Sequence, residues 1–175
     1  MTAVTPQLES HMPDKEEKIE HTMRDLCDED IPQLLVLEEK TQSSPWTEEA
    51  FRRCRQANYP GWVLEKDSKL LGFVMISLSA GECHILNLCV DPVFQGKKLG
   101  RKLMIAALIW AKQQGAMIVY LEVRRSNIRA IKLYQKMHFS EIGIRKNYYP
   151  KEEGGEDALV LARDISVEDQ EDIDQ

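Results

Sequence analysis

The feature that most constrains this chain is the apolar run His84-Ile85-Leu86-Asn87-Leu88-Cys89-Val90. It breaks at Asp91-Pro92-Val93-Phe94-Gln95-Gly96-Lys97-Lys98-Leu99-Gly100 and resumes at helical spacing. The run is short and apolar, which predicts a buried strand. Leu99, Leu103, Ala106 and Trp110 fall on one helical stripe, so a helix is expected from Leu99 to Ala111, with Gly115 placed to end it. A second buried strand is expected from Met117 to Val123. Strand, turn, helix and strand form a βαβ unit, which makes the strands parallel and lays the helix across one face.

The helix start then meets the carboxyl end of the first strand, where unpaired amides and the positive dipole end favour an anion. Lys97, Lys98, Arg101 and Lys102 crowd the same place, and Glu122 is the only acidic residue between Lys97 and Lys132. A phosphorylated ligand explains that imbalance; a solvated basic helix face is the competing explanation. Glycines flanking the cluster at Gly96 and Gly100 favour the ligand. Neither G-x-G-x-x-G nor G-x-x-x-x-G-K-[ST] is present, which argues against a dinucleotide fold and a P-loop.

At 175 residues the chain is expected to form one domain over 19–164, after a flexible extension at 1–18 and before an acidic tail at 165–175. The formal charge of −6 is misleading. From Asp164 onward there are six carboxylates and no base, so the remainder is neutral and the low pI reports the tail rather than the site. No apolar run approaches membrane length. Cys27, Cys54, Cys83 and Cys89 contain no C-x-x-C pair, and the four histidines show no ligand spacing. A reduced, metal-free, cytoplasmic monomer is expected, with no direct nucleic-acid or membrane partner.

A short strand is expected within Ile19–Leu26. A helix capped by Asp28 or Asp30 should follow to Lys40, buried through Ile31, Leu34, Leu35 and Leu37. Thr47 can cap a second helix to Asn58, and Gly61–Glu65 with Leu70–Leu78 should form a hairpin.

Glu122 interrupts Ile118-Val119-Tyr120-Leu121-Glu122-Val123, where a buried strand should be apolar. A carboxylate there must be paired or solvated, at the strand's open end. A structural ion pair with Arg124 or Arg125 competes with a catalytic role, and its place near the carboxyl end of a parallel strand favours catalysis. Ser126-Asn127 should cap a helix whose buried stripe includes Ile128, Ala130, Ile131, Tyr134 and Met137. By itself Tyr134 reads as a core aromatic, and His138 as a surface or capping histidine.

The loop Val90-Asp91-Pro92-x-x-Gln95-Gly96-Lys97-Lys98-Leu99-Gly100 resembles the pyrophosphate loop of GNAT-superfamily acetyltransferases, written [QR]-x-x-G-x-[GA]. Gln95 and Gly100 match, and Lys98 stands at the first motif glycine; the loop can still work with an ordinary negative φ there, since backbone amides supply the contacts. Asn127-x-x-Ala130-x-x-Leu133-Tyr134 is similar to the family's pantetheine segment, in which the tyrosine faces the thioester sulfur and the asparagine contacts the cofactor. Pro45-Trp46-Thr47, and Arg145-Lys146-Asn147-Tyr148-Tyr149-Pro150 with Glu156-Asp157-Ala158, look like elements of RimI-type enzymes, which acetylate the N-terminal alanine of a small-subunit ribosomal protein.

The resemblance implies a mixed α/β fold: a mostly antiparallel twisted sheet with one parallel pair splayed to hold acetyl-CoA, flanked by helices. It implies Glu122 and Tyr134 as catalytic. Leu88, Cys89, Val90, Gln95, Gly96, Lys97, Lys98, Leu99, Gly100, Arg101 and Asn127 would hold coenzyme A. Trp46, Tyr148 and Tyr149 would hold the N-terminus of a ribosomal or other basic protein. The retained alternatives are a GNAT enzyme acting on lysine or a small amine, and an acetyl-CoA-binding module without turnover.

Overall fold

The computed structural model describes residues 20–150 and 154–166. The expectations for the N-terminal extension, and for the tail beyond residue 166, lie outside these residues. Seven strands form one sheet: β1 (Thr22–Asp25), β2 (Gly61–Lys66), β3 (Lys69–Ser79), β4 (Glu82–Val90), β5 (Ile118–Arg124), β6 (Ser140–Pro150) and β7 (Gly155–Asp164). Their order is β1-β2-β3-β4-β5-β7-β6, and β4–β5 is the one parallel pair among antiparallel neighbours. The helices are α1 (Ile31–Thr41), α2 (Glu48–Gln56), α3 (Leu99–Gln113) and α4 (Ile128–Lys136).

β3 reads as a nearly continuous apolar run because it is central and covered on both faces. Phe73 and Met75 point into a cluster with Ile31, Leu34 and Leu37 of α1 and Phe51 of α2. Val74 and Ile76 point the other way, into a cluster with Leu103, Met104 and Ala107 of α3. Each fully buried large side chain contributes about 1.5–3 kcal/mol, so these two clusters fix which helices lie on which face. β7 runs through Asp164, and Ile165 beyond it is buried, its N–H donating to the Met117 carbonyl at 2.8 Å. Among the described residues no helix is long and apolar enough to cross a membrane.

The helix boundaries follow local chemistry. Thr47 caps α2, its side chain accepting from Ala50 N–H, and Asn127 caps α4 in the same way. α4 ends in a Schellman arrangement: Phe139 N–H donates to the Tyr134 carbonyl and His138 N–H to the Gln135 carbonyl, with the Tyr134 and Phe139 rings 6.0 Å apart. His138 occupies the left-handed position of that motif at φ 60°. The backbone is therefore glycine-like there, although the residue is histidine.

Lys98 likewise takes a glycine-like backbone rather than the negative φ considered for it. Its φ is 61°, not negative, because the chain must reverse from the Gly96 turn (φ 81°) into the first turn of α3. A lysine there adopts a conformation normally left to glycine, at a cost of roughly 1 kcal/mol.

Candidate active site

The site is made where β4 and β5 part. Their ladder runs from Glu82↔Ile118 to Ile85↔Leu121 and stops. At that level β4 carries a bulge, since Met75 pairs with Asn87 and Ile76 with Ile85, leaving Leu86 as the extra residue. A bulge bends and twists its strand. Past it β4 stays with β3, and β5 stays with β7 through Glu122↔Val160 and Val123↔Leu159. Asp91 N–H bonds back to the Leu71 carbonyl on β3, so alternation turns the backbone groups of Leu88 and Val90 toward the gap.

One side of the gap opens into a cavity of about 580 Å³, lined by Leu88, Cys89, Val90, Gln95, Leu99, Gly100, Asn127 and Tyr134. Gly100 at the start of α3 lets the wall approach: a Cβ there would lie 3.3 Å from a Leu133 methyl. The α3 N-cap, Lys98, makes no side-chain cap, which leaves first-turn amides available to an anion. Gln95 is fixed across the mouth, donating to the Val90 carbonyl at 3.0 Å and accepting from Arg129 at 2.7 Å. Gly96, Lys97, Lys98 and Arg101 do not line this cavity; Lys97 instead lies over the Phe94 ring. Arg129, which reads in the sequence as part of a polar helix face, does line it.

The other side holds a smaller cavity of about 120 Å³, lined by Trp46, Asn87, Glu122, Tyr134 and Tyr149 among others. Glu122 is the first β5 residue beyond the ladder and is partly exposed. Its ion-pair partner is Arg145 on β6, at 3.2 Å, and not Arg124 or Arg125. Those two pair instead with β7, Arg124 with Glu156 and Arg125 with Asp157. Arg124 also lies over the Tyr149 ring at 4.1 Å, holding that ring against the cavity. A register shift between Arg145 and Tyr149, with Asn147 at φ 52°, turns the two tyrosines differently. Tyr149 faces the cavity, while Tyr148 is exposed and stands off it, under Arg145.

Glu38 is a lining residue that sequence reasoning passed over. Its carboxylate is wholly buried, accepting from Trp46 N–H at 2.8 Å and from Asn87 Nδ2 at 3.0 Å. Burial pushes it above the ordinary glutamate range, and its two hydrogen bonds only partly offset that. The signal was available: Glu38 sits at i+4 from Leu34 and i+7 from Ile31, on the core stripe of α1.

Tyr134 lines both cavities, as do Leu88, Arg124 and Asn127, so the two adjoin at the gap. Burial raises the Tyr134 phenol well above its ordinary value, helped by the neighbouring Tyr149. Tyr149 is pushed up to about 12 by burial and then by the Glu122 charge. Both phenols are therefore protonated at neutral pH. The Cys89 thiol points away from the gap into the core beside α1, against Thr41 and the Leu37 carbonyl, and burial there pushes it up to about 12. Among the described residues no cluster of histidine, cysteine or carboxylate side chains is placed to hold a metal ion.

The acetyltransferase (GNAT) family model matches residues 23–139. The [ribosomal protein bS18]-alanine N-acetyltransferase of Escherichia coli K12 is 33% identical over 147 residues, covering 84% of this chain and 99% of its own. A putative enzyme of the same name from Bacillus subtilis is 36% identical over 146 residues, covering 82% and 95%. The crystal structure of the ribosomal-protein-S18-alanine N-acetyltransferase from Escherichia coli superposes with a TM-score of 0.79 at 32% identity, covering 87% of this chain and 98% of that one. The chain belongs to the GNAT family of acetyltransferases.

Proposed function

We propose that the protein transfers an acetyl group from acetyl-CoA to a free protein α-amine, most simply the N-terminal alanine of a ribosomal protein, by direct attack. The observation that carries this reading is that a large cavity and a small carboxylate-bearing one share Tyr134 as a wall. The residues present suit coenzyme A. The uncapped start of α3 and the close wall at Gly100 fit a diphosphate, and the backbone of Leu88 and Val90 offers hydrogen bonds to an extended amide-bearing arm. Acetyl-CoA itself supplies the activated thioester carbonyl.

The rest falls to this chain's own groups. An N-terminal amine has a reference pKa of about 7.7–8.0, against about 10.4 for lysine, so a carboxylate is base enough for it. Glu122, directly or through one water, accepts the proton as the amine nitrogen bonds to the acetyl carbon. A Leu88 or Val90 N–H polarises the carbonyl oxygen. The carbon–sulfur bond breaks and Tyr134 gives its proton to the departing sulfur. The Tyr134 phenol is a weak acid here, but the same burial makes the departing thiolate a stronger base. Trp46 and Tyr149 wall the acceptor's first side chain, and a 120 Å³ cavity favours a small residue such as alanine. One chain carries all of these groups, consistent with action as a monomer, and a ribosomal substrate would be met in the cytoplasm.

The test is incubation with acetyl-CoA and paired peptides whose α-amine is free or blocked, with fragmentation to locate the acetyl group. The reading expects label on the α-nitrogen of Ala-initiated peptides only. Label on lysine in the blocked peptide, or none on either with acetyl-CoA bound, would replace it.

A further inference from the structure

Glu38 is a buried carboxylate without a counter-ion. Its two hydrogen-bond partners, Trp46 N–H and the Asn87 amide, are neutral, and among the described residues no cation stands within ion-pair distance. Lys40, on the same helix, is committed to Asp91 at 2.9 Å. Arg124, the cation on the same cavity wall, is committed to Glu156 and to the Tyr149 ring. A buried charge of this kind is costly unless something pairs with it.

The fold alone does not need the charge. A glutamine would accept from Trp46 N–H and, with the Asn87 amide turned over, donate to its oxygen. What the negative charge adds is potential in a cavity that already contains Glu122. Walls of low dielectric make that potential reach further than it would in water.

We propose that Glu38 is a substrate-recognition residue, whose carboxylate, fixed by Trp46 and Asn87, electrostatically holds the acceptor's α-ammonium in the small cavity before Glu122 removes its proton. This rests on the reading that the acceptor is an α-amine, and adds a second carboxylate with a separate task. Glu122 accepts the proton at the open end of the gap. Glu38, closed off from solvent, selects for the cation and orients it. A neutral N-terminal isostere fits the same space but gains nothing from Glu38.

The experiment compares an Ala-initiated peptide with its lactyl analogue, in which a hydroxyl replaces the ammonium, by calorimetry in the presence of coenzyme A. Wild-type protein should prefer the ammonium peptide. Glu38→Gln should weaken that peptide about tenfold and leave the lactyl peptide and coenzyme A within about twofold. Trp46→Ala should weaken both peptides in parallel and keep the preference. Equal weakening of both peptides by Glu38→Gln, or an unchanged preference, would overturn the proposal and leave Glu38 as a tie for the Trp46 loop. A wild type without any preference would instead withdraw the α-amine reading, and this proposal with it. If Glu38→Gln does not fold, Glu122→Gln decides: it retains Glu38 and should keep a preference of about tenfold, whereas complete loss would assign the ammonium to Glu122 alone.

Discussion

The two sides of the gap are built from different materials. The large cavity combines its side chains with backbone and a close glycine: the strand edge at Leu88 and Val90, the uncapped first turn of α3, and Gly100 against Leu133. The small cavity is shaped by side chains reaching in from distant elements: Glu38 from α1, Trp46 from the loop before α2, Glu122 from β5 and Tyr149 from β6. Backbone suits a ligand that never changes, and tolerates side-chain replacement. Side chains brought from four elements can be exchanged one at a time, which suits the partner whose identity differs between related enzymes.

That contrast sets an order of sensitivities. The largest effects belong to the seam. Tyr134→Phe should lower kcat about a hundredfold and leave coenzyme A affinity within about twofold, read by steady-state kinetics and calorimetry. Undiminished turnover would remove its acid role. Glu122→Gln should lower kcat by a similar factor, with rate recovering as pH rises toward that of the free amine.

Next comes the acceptor side. Arg145 rests on Glu122 where an incoming ammonium would compete with it, and it is more than half exposed. Arg145→Ala should lower the peptide KM about threefold, in keeping with the worth of an exposed pair. A raised KM would show that Arg145 instead holds substrate.

Glu38→Gln should raise Tm at pH 7 by about 2–4 °C while weakening peptide binding. Burial raises the carboxyl in the fold, so protonation is easier folded than unfolded. The cost of Glu38 is accordingly absent below the unfolded value near 4.5 and grows as pH rises through the folded one. The Tm difference between variant and wild type should therefore shrink as pH falls toward 4.5.

The smallest effects lie on the cofactor side. Lys98→Gly should stabilise the fold by up to about 1 kcal/mol in chemical denaturation and change peptide KM by less than about twofold, because the φ of 61° no longer strains a side chain. A large loss of peptide affinity would break the division between the two sides.

The same division explains what could be read from the sequence. The βαβ unit and the helix caps at Thr47 and Asn127 follow from local period and spacing, and the elements fall within a few residues of their expected bounds. Glu122 stands out as a break in an apolar strand, whereas Tyr134 becomes a candidate only through the family resemblance. Pairing across the sheet did not follow. Arg145 reaches Glu122 because β7 lies between β5 and β6, a neighbour relation that no local pattern encodes. Tyr148 and Tyr149 read as equals, but as neighbours on one strand they face opposite ways, and the register shift at Arg145–Tyr149 leaves Tyr149 on the cavity side. Glu38 sits on a stripe the sequence already marks as buried, but its partners Trp46 N–H and Asn87 come from other elements that the helix period does not reveal. At Lys98 and His138 the chain adopts the conformation of a glycine motif without the glycine, so composition hid a backbone path that spacing preserved.

The most direct measurement uses a single molecule that fills both sides: coenzyme A joined through an acetyl bridge to the α-nitrogen of an Ala-initiated peptide. The gap between β4 and β5 predicts that it competes with both acetyl-CoA and peptide, and binds at least about a hundredfold more tightly than either part alone. Competition with only one of them, or affinity no better than that of coenzyme A, would show that the two cavities do not serve one reaction.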